Sequence, residues 1–512
     1  MLDLGRSFLA SVARDPGATA LVDGEARWSY AKWFTRVSAL ADALSRLGLG
    51  QGDRLVTALQ NSAAAATLHW ACQMAGIVIV PVNWRASAEE LDFFIANSEA
   101  RALVFDDASR EAVLASSRAN SLPRIAAGSR VAGAEDFEVL AGASAPDATP
   151  RAGPEDWSLM LYTSGTTARP KGVPRRHRAE RAAALAHVAQ NLMPLHDSTL
   201  GVMPLYHTMG VRSLLAMSIL GGAFICLPRF DAGAALRLIA AERIGSLYLV
   251  PTLYHDLLAH DGFHASDLSS VRRLGFAGAS MTDGLLRRVA EAFRPALFVN
   301  HYGSSEIYTF SITQDAPSKP GSAGRAALNQ MLRVVALRSG NPDAMLAPGE
   351  EGEIIATMAG DEAFDGYWQR PDADEKALRG GWYFTGDTGY FDADGDLFVT
   401  GRVDDMIITG GENVSPVEVE SCLSTHPAVA EAAVVGLPDE RWGQVVTAFV
   451  VRAGQVSAEE LDTHCQASGL ARFKRPRRFV FVACLPKSPV GKLLRRQLVA
   501  GEYTLEGAPT QL

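Results

Sequence analysis

The sequence has little cysteine, no long hydrophobic run and no excess of positive charge, and each shortage excludes a class of protein. Its five cysteines, Cys72, Cys226, Cys422, Cys465 and Cys484, are scattered through 512 residues without C-x-x-C spacing. A disulfide framework or a zinc site is therefore not expected, and reduced thiols in a cytoplasmic protein are the simplest interpretation. The formal net charge of −9 argues against non-specific binding to nucleic acid, which requires a basic surface.

Membrane-spanning and secretory segments are not expected either. The apolar run over residues 213–228 is shorter than the ~20 residues that a membrane-spanning helix needs, and two glycines interrupt it. The first 20 residues carry four charged side chains and have no continuous apolar core, unlike a signal peptide. We therefore expect a cytoplasmic protein with no membrane partner.

The alternation of apolar segments predicts an α/β fold with more than one domain, since 512 residues exceed what one hydrophobic core supports. A strand over 53–59, a helix over 63–75 and a strand over 77–82 set a pattern that predicts largely parallel sheets with helices on both faces. Over 334–400 the strands shorten and are separated by Gly and Asp turns, which predicts a small β-rich subdomain. A compact α/β unit with a basic tail follows residue 401.

The most informative stretch is residues 161–172, Leu-Tyr-Thr-Ser-Gly-Thr-Thr-Ala-Arg-Pro-Lys-Gly. A buried strand over 157–162 leads into four hydroxyl side chains around one glycine, followed by Lys171. Hydroxyls and backbone N–H groups beside a lysine suit phosphate. The stretch is not a Walker A loop, because Lys171 follows a proline and is not followed by Ser or Thr. A polar surface turn with a lysine is the alternative.

A second motif, Asn-His-Tyr-Gly-Ser-Ser-Glu at 300–306, places a glycine, two hydroxyls and a carboxylate at the carboxyl end of an apolar strand. That arrangement is typical of ligand sites in α/β proteins. One carboxylate, together with phosphate oxygens and waters, is also how Mg²⁺ is usually held. Two neighbouring segments, 203–207 ending in His207 and 274–280 ending in small residues, are by themselves equally typical of ordinary packing.

Three further features lie toward the C-terminus. Tyr-Phe-Thr-Gly-Asp at 383–387 ends in an aspartate that a β-turn alone would explain. In 401–413, Gly410 and Gly411 allow the backbone to approach another group closely, and the helix that follows has Ser415 as N-cap with Glu418 closing a capping box. Residues 471–497 carry nine basic and no acidic side chains, which suits a polyphosphate ligand or simply a solvated face.

Taken together and in this order, the motifs over residues 157–492 resemble those of the adenylate-forming enzymes, the family of acyl-CoA synthetases, luciferases and peptide-synthetase adenylation domains. The similarity is densest to the aryl-CoA ligases. Ala168 stands where the family usually has glycine. If the position needs a positive φ, alanine there costs on the order of 1 kcal/mol. The resemblance implies formation of an acyl-AMP from a carboxylic acid and ATP with Mg²⁺, then transfer to coenzyme A, by a monomer or homodimer without a prosthetic group.

The resemblance also implies roles for individual residues. Tyr302 would stack on adenine, Asp387 would bind the ribose hydroxyls and Glu306 would hold Mg²⁺. Lys492 would be the catalytic lysine that stabilises charge at the α-phosphate, and His207 completes the catalytic set. The residues expected to bind ATP and AMP are Thr163, Ser164, Gly165, Thr166, Thr167, Lys171, Gly278, Ala279, Ser280, Tyr302, Gly303, Ser304, Ser305, Asp387 and Arg402.

The family's two-domain organisation implies an ATP- and acyl-binding domain over 1–402, a hinge over 403–405 containing Asp404, and a small mobile C-terminal α/β lid over 404–512. The residues expected to bind coenzyme A are Arg85, Gly410, Gly411, Trp442, Arg475 and Arg477. Two other functions remain open: transfer of the acyl group to a carrier protein or to oxygen, and a non-catalytic nucleotide-binding relative.

By similarity to the aryl-CoA ligases, the acyl pocket contains Ala186, His207, Thr208, Met209, Tyr248, Ala279, His301, Gly303, Tyr308 and Thr309. These side chains predict a flat slot for a ring acid, such as a benzoate or furoate, rather than for a short- or medium-chain fatty acid. His301 and Tyr308 would bond a ring heteroatom or hydroxyl, or else each other or water. No arginine is among these positions, which disfavours a dicarboxylic acid.

Overall fold

The structure, a computed structural model, describes residues 2–163, 170–487 and 493–507. Three β-sheets organise these residues, and helices pack on the sheet faces. The α/β class predicted from the sequence is confirmed. No helix within the described ranges has both the length and the apolar character that crossing a membrane requires.

The first described segment alternates strands with helices. Its helices are α1 (Leu4–Arg14), α2 (Tyr30–Arg46), α3 (Ala63–Ala75), α4 (Ala88–Ser98), α5 (Arg110–Ala115) and α6 (Phe137–Gly142). Its strands are β1 (Thr19–Asp23), β2 (Ala26–Ser29), β3 (Arg54–Ala58), β4 (Val78–Pro81), β5 (Ala102–Asp106), β6 (Arg124–Ala127), β7 (Glu135–Asp136) and β8 (Trp157–Thr163).

The second segment continues the alternation up to β15 and is mainly strand after it. Its helices are α7 (His177–Gln190), α8 (Thr208–Leu220), α9 (Ala232–Ala241), α10 (Pro251–Ala259), α11 (Asp283–Phe293) and α12 (Pro371–Ala377). Its strands up to residue 402 are β9 (Lys171–Arg176), β10 (Ser198–Gly201), β11 (Ala223–Cys226), β12 (Ser246–Leu249), β13 (Arg273–Phe276), β14 (Leu297–Tyr302), β15 (Ser311–Thr313), β16 (Ser322–Ala326), β17 (Leu332–Val335), β18 (Gly352–Thr357), β19 (Leu378–Arg379), β20 (Trp382–Phe391) and β21 (Leu397–Arg402).

After residue 402 the chain forms a smaller α/β unit. Its elements are β22 (Ile407–Thr409), β23 (Glu412–Val414), α13 (Pro416–Ser424), β24 (Val429–Asp439), β25 (Gly443–Arg452), α14 (Ala458–Ala467), β26 (Arg478–Phe481) and α15 (Arg495–Val499).

The strand order of the two larger sheets brings the ends of several strands together. One sheet has the order β7-β6-β5-β3-β4-β8-β9, and the other has the order β17-β18-β20-β21-β16-β15-β14-β13-β12-β10-β11-β1-β2. Strands β10, β12, β13 and β14 are parallel neighbours, so their carboxyl ends lie at one edge. The predicted β-rich subdomain is joined to the same sheet, because β21 pairs with β16.

A single hydrophobic core touches both larger sheets. Phe8 of α1 stacks on Trp70 of α3 at 4.6 Å between ring centroids and meets Trp33 of α2 edge-on at 5.2 Å. Leu55 of one sheet and Phe224 of the other belong to the same buried cluster. Burial of large side chains at about 25 cal/mol per Å² fixes the two sheets against shared helices.

Local signals in the sequence gave mixed results. Helix α4 begins with a capping box, because the Ser87 hydroxyl and the Glu90 carboxylate each accept from the other's backbone N–H. The box predicted at α13 is wrong: Ser415 caps the helix, but the Glu418 carboxylate instead pairs with Lys474 at 2.7 Å. Strand β10 ends at Gly201, two residues before the segment 203–207.

The small sheet, with the order β23-β22-β25-β24 and β26 beside β25, contains only residues after 406. Helix α13 packs against α11 and β21, and the Ser415 hydroxyl donates to the Thr400 carbonyl. At Gly284 of α11 a Cβ would lie 2.8 Å from the Ser424 carbonyl oxygen, so only glycine fits this contact. The C-terminal unit therefore lies directly on the larger part of the chain.

Candidate active site

A hydrogen-bonded triad joins three strands of the large sheet. The Tyr302 hydroxyl donates to Asp387 Oδ2 at 2.6 Å, and Arg402 Nη1 donates to Oδ1 at 2.7 Å. Asp387 and Arg402 are direct partners across β20 and β21, which sets this geometry. Burial, followed by the charge of Asp387, holds the pKa of Tyr302 well above its usual range, so the hydroxyl stays a donor. Because a carboxylate has about four lone-pair sites, Asp387 can also accept from a sugar's hydroxyls.

A second group of charges surrounds the ring of Tyr367. Its hydroxyl donates to Glu306 Oε1 at 2.6 Å, and Lys171 Nζ lies 3.9 Å from the centroid of the ring. Burial lowers the pKa of Lys171, while the Glu306 carboxylate acts in the opposite direction. The two residues predicted to contact phosphate and metal are thus brought to one place by β9 and by the loop after β14.

The carboxylate of Glu306 fits a divalent cation. The side chain is 5% exposed. Besides accepting the hydrogen bond from Tyr367, the carboxylate has a second oxygen and further lone pairs that can bind a cation. Buried Arg175 donates to the backbone carbonyls of Glu306 and Glu362 at 2.8 and 2.6 Å, which fixes the segment that carries the carboxylate. Hard oxygen ligands held in place suit Mg²⁺.

Part of the predicted phosphate loop lies outside the described residues, namely Ser164, Gly165, Thr166 and Thr167, and so does Lys492. Thr163, at the end of β8, pairs with Lys171, at the start of β9, in an antiparallel hairpin. The hairpin sets the two ends of the loop side by side.

Small residues follow β13 and β14 at the shared edge of the sheet. Gly278 has a φ of +84°, which glycine adopts readily, and a Cβ at Gly303 would lie 2.0 Å from the Tyr308 carbonyl oxygen. Both glycines, together with Ala279 and Ser280, are exposed. The Ser304 hydroxyl accepts from the Glu306 backbone at 3.2 Å and so holds the turn, and Ser305 beside it is half-buried.

Most of the predicted acyl pocket consists of buried side chains from helices α7 and α8, strands β12 and β14 and the loop after β14, whereas Ala279 and Gly303 are exposed. His207 is the N-cap of α8, with Nδ1 accepting from the Met209 backbone at 3.4 Å. Its neighbours in the predicted set are nearly inaccessible, with exposures of 8% or less for Ala186, Thr208, Met209, Tyr248, His301, Tyr308 and Thr309. The Tyr308 hydroxyl donates to Glu180 at 3.0 Å.

Two residues that the sequence did not single out complete this region. The ring of His187 lies 4.8 Å from that of Tyr248 and 5.2 Å from that of His301, measured between centroids. Asn191, one turn further, bonds to both histidines. The signal that could have found them is a histidine and an asparagine four apart on α7, followed by a helix end.

A buried arginine also borders the pocket, although no arginine is among the predicted positions. Arg212 of α8 donates to the Tyr248 hydroxyl and, at 2.5 Å, to Thr309 Oγ1. It is the one charged side chain in the otherwise uncharged helix of residues 208–220, a signal visible in the sequence.

The positive charge of Arg212 is balanced nearby. Arg175 bonds directly to Glu180 at 2.8 Å, and Glu362 accepts from the Thr309 backbone at 3.2 Å, next to the hydroxyl that Arg212 binds. Two buried carboxylates therefore accompany two buried guanidinium groups. A second carboxylate on a substrate would therefore meet no uncompensated positive charge at Arg212.

The residues predicted to bind coenzyme A form one compact group and two separate ones. Gly410 and Gly411 have φ values of +61° and +89°, and Gly410 lies so close to Trp442 that a Cβ would be 2.8 Å from its ring. The guanidinium of Arg477 lies 4.3 Å from the centroid of a Trp442 ring. The predicted hinge residue, Asp404, is exposed in the turn between β21 and β22.

Arg475 and Arg85 lie elsewhere. Arg475 faces Asp462 of α14 at 3.8 Å, on the small unit. Arg85 stacks on Trp84 at 3.7 Å, on the larger part of the chain, where it also contacts Tyr206 beside His207. Only Arg477 among the three is joined to Trp442 by a contact within the described ranges.

Comparison with known proteins identifies the family. Residues 8–368 match the family described as AMP-binding enzyme, and residues 418–492 match the AMP-binding enzyme C-terminal domain. The chain is 34% identical to a 4-chlorobenzoate–CoA ligase of Arthrobacter sp. over 497 residues, which is 95% of this chain and 93% of that protein. It is 32% identical to the long-chain-fatty-acid–CoA ligase FadD13 of Mycobacterium tuberculosis, with 93% of each covered.

Solved structures agree with this assignment. ATP-bound MatB from Rhodopseudomonas palustris superposes with a TM-score of 0.88 at 29% identity, covering 98% of this chain and 99% of that one. The apo structure of the same protein gives 0.81 over the same shares. The chain belongs to the AMP-binding enzymes and, within that family, to the acyl- and aryl-CoA ligases.

Proposed function

We propose that this enzyme is an ATP-dependent, AMP-forming carboxylic acid:CoA ligase that acts through an acyl-adenylate on a ring acid of the benzoate or furoate type. In the first step the acid's carboxylate attacks the α-phosphate of ATP and displaces pyrophosphate. In the second step the thiol of coenzyme A attacks the acyl carbon and displaces AMP. Membership of the acyl- and aryl-CoA ligases supports the reaction class, and the side chains of the pocket support the ring.

The observation that carries the proposal is the Tyr302–Asp387–Arg402 triad beside the group of Lys171, Tyr367 and Glu306. Asp387 would bind the ribose hydroxyls, with Arg402 and Tyr302 holding its carboxylate in position. Lys171 would contact the terminal phosphates. Because no protein nucleophile is needed, alignment of the two substrates and stabilisation of charge would account for most of the rate.

Glu306 is the residue that would hold Mg²⁺, and the ion would neutralise charge on the phosphates. Tyr367, through its 2.6 Å bond, would orient the carboxylate. Arg175 would maintain the position of the same segment through its bond to the Glu306 carbonyl.

For the second step we propose that residues after the hinge form a lid that changes its position. Asp404 lies in an exposed turn that could rotate, since hinges absorb backbone changes at few residues. The closer superposition on ATP-bound than on apo MatB supports an adenylation-like position of the lid here. In the other position Gly410 and Gly411 would lie beside the pantetheine arm, and Trp442 with Arg477 would meet the nucleotide end of coenzyme A.

The ring preference rests on the shape of the pocket's side chains. The rings of Tyr248, His187 and His301 lie within 5.2 Å of one another and present flat surfaces. A linear fatty acid is the second candidate, because one relative at 32% identity is named a long-chain-fatty-acid–CoA ligase. The buried, charge-balanced group of Arg212, Tyr248 and Thr309 beside these rings disfavours a long apolar tail.

The test is a panel of acids scored by kcat/KM for pyrophosphate release and for thioester formation with coenzyme A. Benzoate, hydroxybenzoates, furoate, cyclohexanecarboxylate and C4–C12 fatty acids form the panel. We expect a ring acid to give the highest kcat/KM. We also expect the amount of thioester formed to equal the amount of pyrophosphate released. A fatty acid at the top contradicts the ring proposal, and pyrophosphate release without thioester points to a carrier protein as acceptor.

A further inference from the structure

The two histidines of the acyl pocket are held by one asparagine, and the geometry fixes which ring nitrogens carry hydrogen. Asn191 Nδ2 lies 2.7 Å from the His187 backbone carbonyl oxygen, which can only accept. The nitrogen end of the Asn191 amide is thereby identified without reference to the histidine rings. The amide oxygen is then the atom that faces His301.

The tautomers of both rings follow from that orientation. Asn191 Nδ2 lies 3.0 Å from His187 Nδ1, which must accept, so a neutral His187 carries its hydrogen on Nε2. Asn191 Oδ1 lies 3.2 Å from His301 Nε2, which must donate, so a neutral His301 keeps a lone pair on Nδ1. Burial, with the charge of Arg212 as the second cause, holds the pKa of both rings well below the usual range, so both are neutral.

The nitrogens that do not bond to Asn191 are the unusual feature. His187 Nε2 and His301 Nδ1 are both buried, and neither has a hydrogen-bond partner among the residues that the structure describes. The two side chains are 1% and 2% exposed. Leaving a buried polar atom without a hydrogen bond costs free energy. Two such nitrogens in one pocket therefore indicate a ligand that forms hydrogen bonds with both.

The two nitrogens without partners are complementary, since His187 Nε2 donates a hydrogen bond and His301 Nδ1 accepts one. A halogen or an ether oxygen can only accept, and an aromatic amine is mainly a donor. A hydroxyl does both, because it has one O–H donor and two lone pairs. The rings are 5.2 Å apart between centroids and tilted by 38°, and Tyr248 contacts both, so one small polar group beside an aromatic wall matches the arrangement.

We propose that His187 and His301, oriented by Asn191, form a recognition site for a hydroxyl group on the ring of the acid. The hydroxyl accepts from His187 Nε2–H and donates to His301 Nδ1. This inference rests on the proposed ring-acid ligase function and narrows its substrate to a hydroxylated ring acid. Tyr308 takes no part, because its hydroxyl already donates to Glu180.

The test compares benzoate with its ortho-, meta- and para-hydroxy and methoxy analogues on the wild-type enzyme. A site built around a hydroxyl rejects the analogue that lacks it, so we expect one hydroxybenzoate to exceed benzoate by about 10²-fold or more in kcat/KM. The corresponding methoxybenzoate, which can only accept, should be well below the hydroxy acid. A hydroxyl preference under about threefold at every ring position overturns the inference, and a water molecule then satisfies the two nitrogens.

Two variants assign the effect to the histidines. His301→Phe and His187→Phe keep an aromatic ring but remove the acceptor or the donor, and each should reduce the hydroxy-to-benzoate ratio to about tenfold or less. Benzoate in the same variants is the internal control for folding and for the adenylation chemistry. A ratio that stays at the wild-type value in both variants overturns the assignment.

A spectroscopic measurement is independent of activity. Imidazole ¹⁵N shifts of the wild-type protein should show hydrogen on Nε2 and not on Nδ1 in both His187 and His301. Hydrogen on Nδ1 of either ring contradicts the site. If no acid of any kind releases pyrophosphate, the proposed function fails while the tautomers remain as stated, so the two failures are distinguishable.

Discussion

The nucleotide end and the acyl end of the candidate site are built in different ways. At the nucleotide end, charged side chains such as Asp387 and Arg402 come from adjacent strands and remain partly exposed, the Arg402 side chain at 45%. At the acyl end, His187, His301 and Tyr248 are buried. One nitrogen of each histidine bonds to Asn191, and the other has no partner among the described residues. Partly exposed charges suit ATP, which is the same substrate in every reaction of this kind. A buried pattern of hydrogen-bond donors and acceptors suits the acyl end, where one carboxylic acid must be distinguished from others.

The largest expected effect separates the nucleotide end from the rest of the reaction. Lys492→Ala should lower the rate of acyl-AMP formation by about 10²–10³-fold, the usual cost of losing one group that stabilises charge in the transition state. Conversion of supplied acyl-AMP and coenzyme A to thioester should continue, because that step needs no charge at the α-phosphate. Both half-reactions are measured by single-turnover quench, and an equal loss in both would reject this role for Lys492.

The next effect concerns the triad. Asp387→Ala removes the acceptor of two hydrogen bonds, one of them charge-assisted at about 1.5–3 kcal/mol, and should raise the KM for ATP by about 10- to 150-fold. The KM for the acid should change little, since the two ends are separate. Asp394→Ala, in the turn of the same hairpin with a side chain 73% exposed, is the matched control and should behave as wild type. Loss of ATP binding in the control would indicate damage to the hairpin.

A smaller effect is expected on the binding of coenzyme A, the proposed acceptor of the acyl group. Arg477→Ala should raise the KM for coenzyme A by tens of fold, in line with a charge-assisted phosphate contact of roughly 1.5–3 kcal/mol, without changing pyrophosphate release. Arg475→Ala should have less effect, because its guanidinium already faces Asp462 at 3.8 Å. Steady-state kinetics with varied coenzyme A distinguishes them, and a larger effect at Arg475 would reverse the assignment.

The smallest effect tests the buried state of the histidines. Burial lowers the pKa of His69 to about 3 and of His177 to about 4, and that of His187 and His301 well below the usual range. The unfolded chain, with histidine near 6.5, then binds more protons below that pH, so stability should fall as the pH falls. Each such histidine contributes about 1.4 kcal/mol per pH unit.

Urea denaturation between pH 7.5 and 5.0 measures this dependence. His301→Phe should reduce the slope of unfolding free energy against pH by about 1.4 kcal/mol per unit below pH 6.5. A slope identical to that of the wild type would show that His301 is not buried in the neutral form.

The same contrast explains what the sequence could predict. Asp387, Arg402 and Glu306 stand within short sequence motifs, so the local sequence was enough to propose their roles, and pairing across β20 and β21 places Asp387 beside Arg402. His187 and Arg212 point into the pocket because of how α7 and α8 are rotated against β12 and β14. That rotation is set by packing of distant segments, which no local pattern records. The Glu418 carboxylate was likewise taken from its capping role by Lys474, a residue 56 positions away.

The two-step account is tested most directly by omitting coenzyme A. The enzyme is mixed with ATP, Mg²⁺ and the best acid of the panel, quenched within one turnover, and then chased with coenzyme A. We predict about one equivalent of acyl-AMP and of pyrophosphate per active site, and conversion to thioester and AMP on the chase. Pyrophosphate that appears only when coenzyme A is present, or ADP and phosphate as products, would contradict the account.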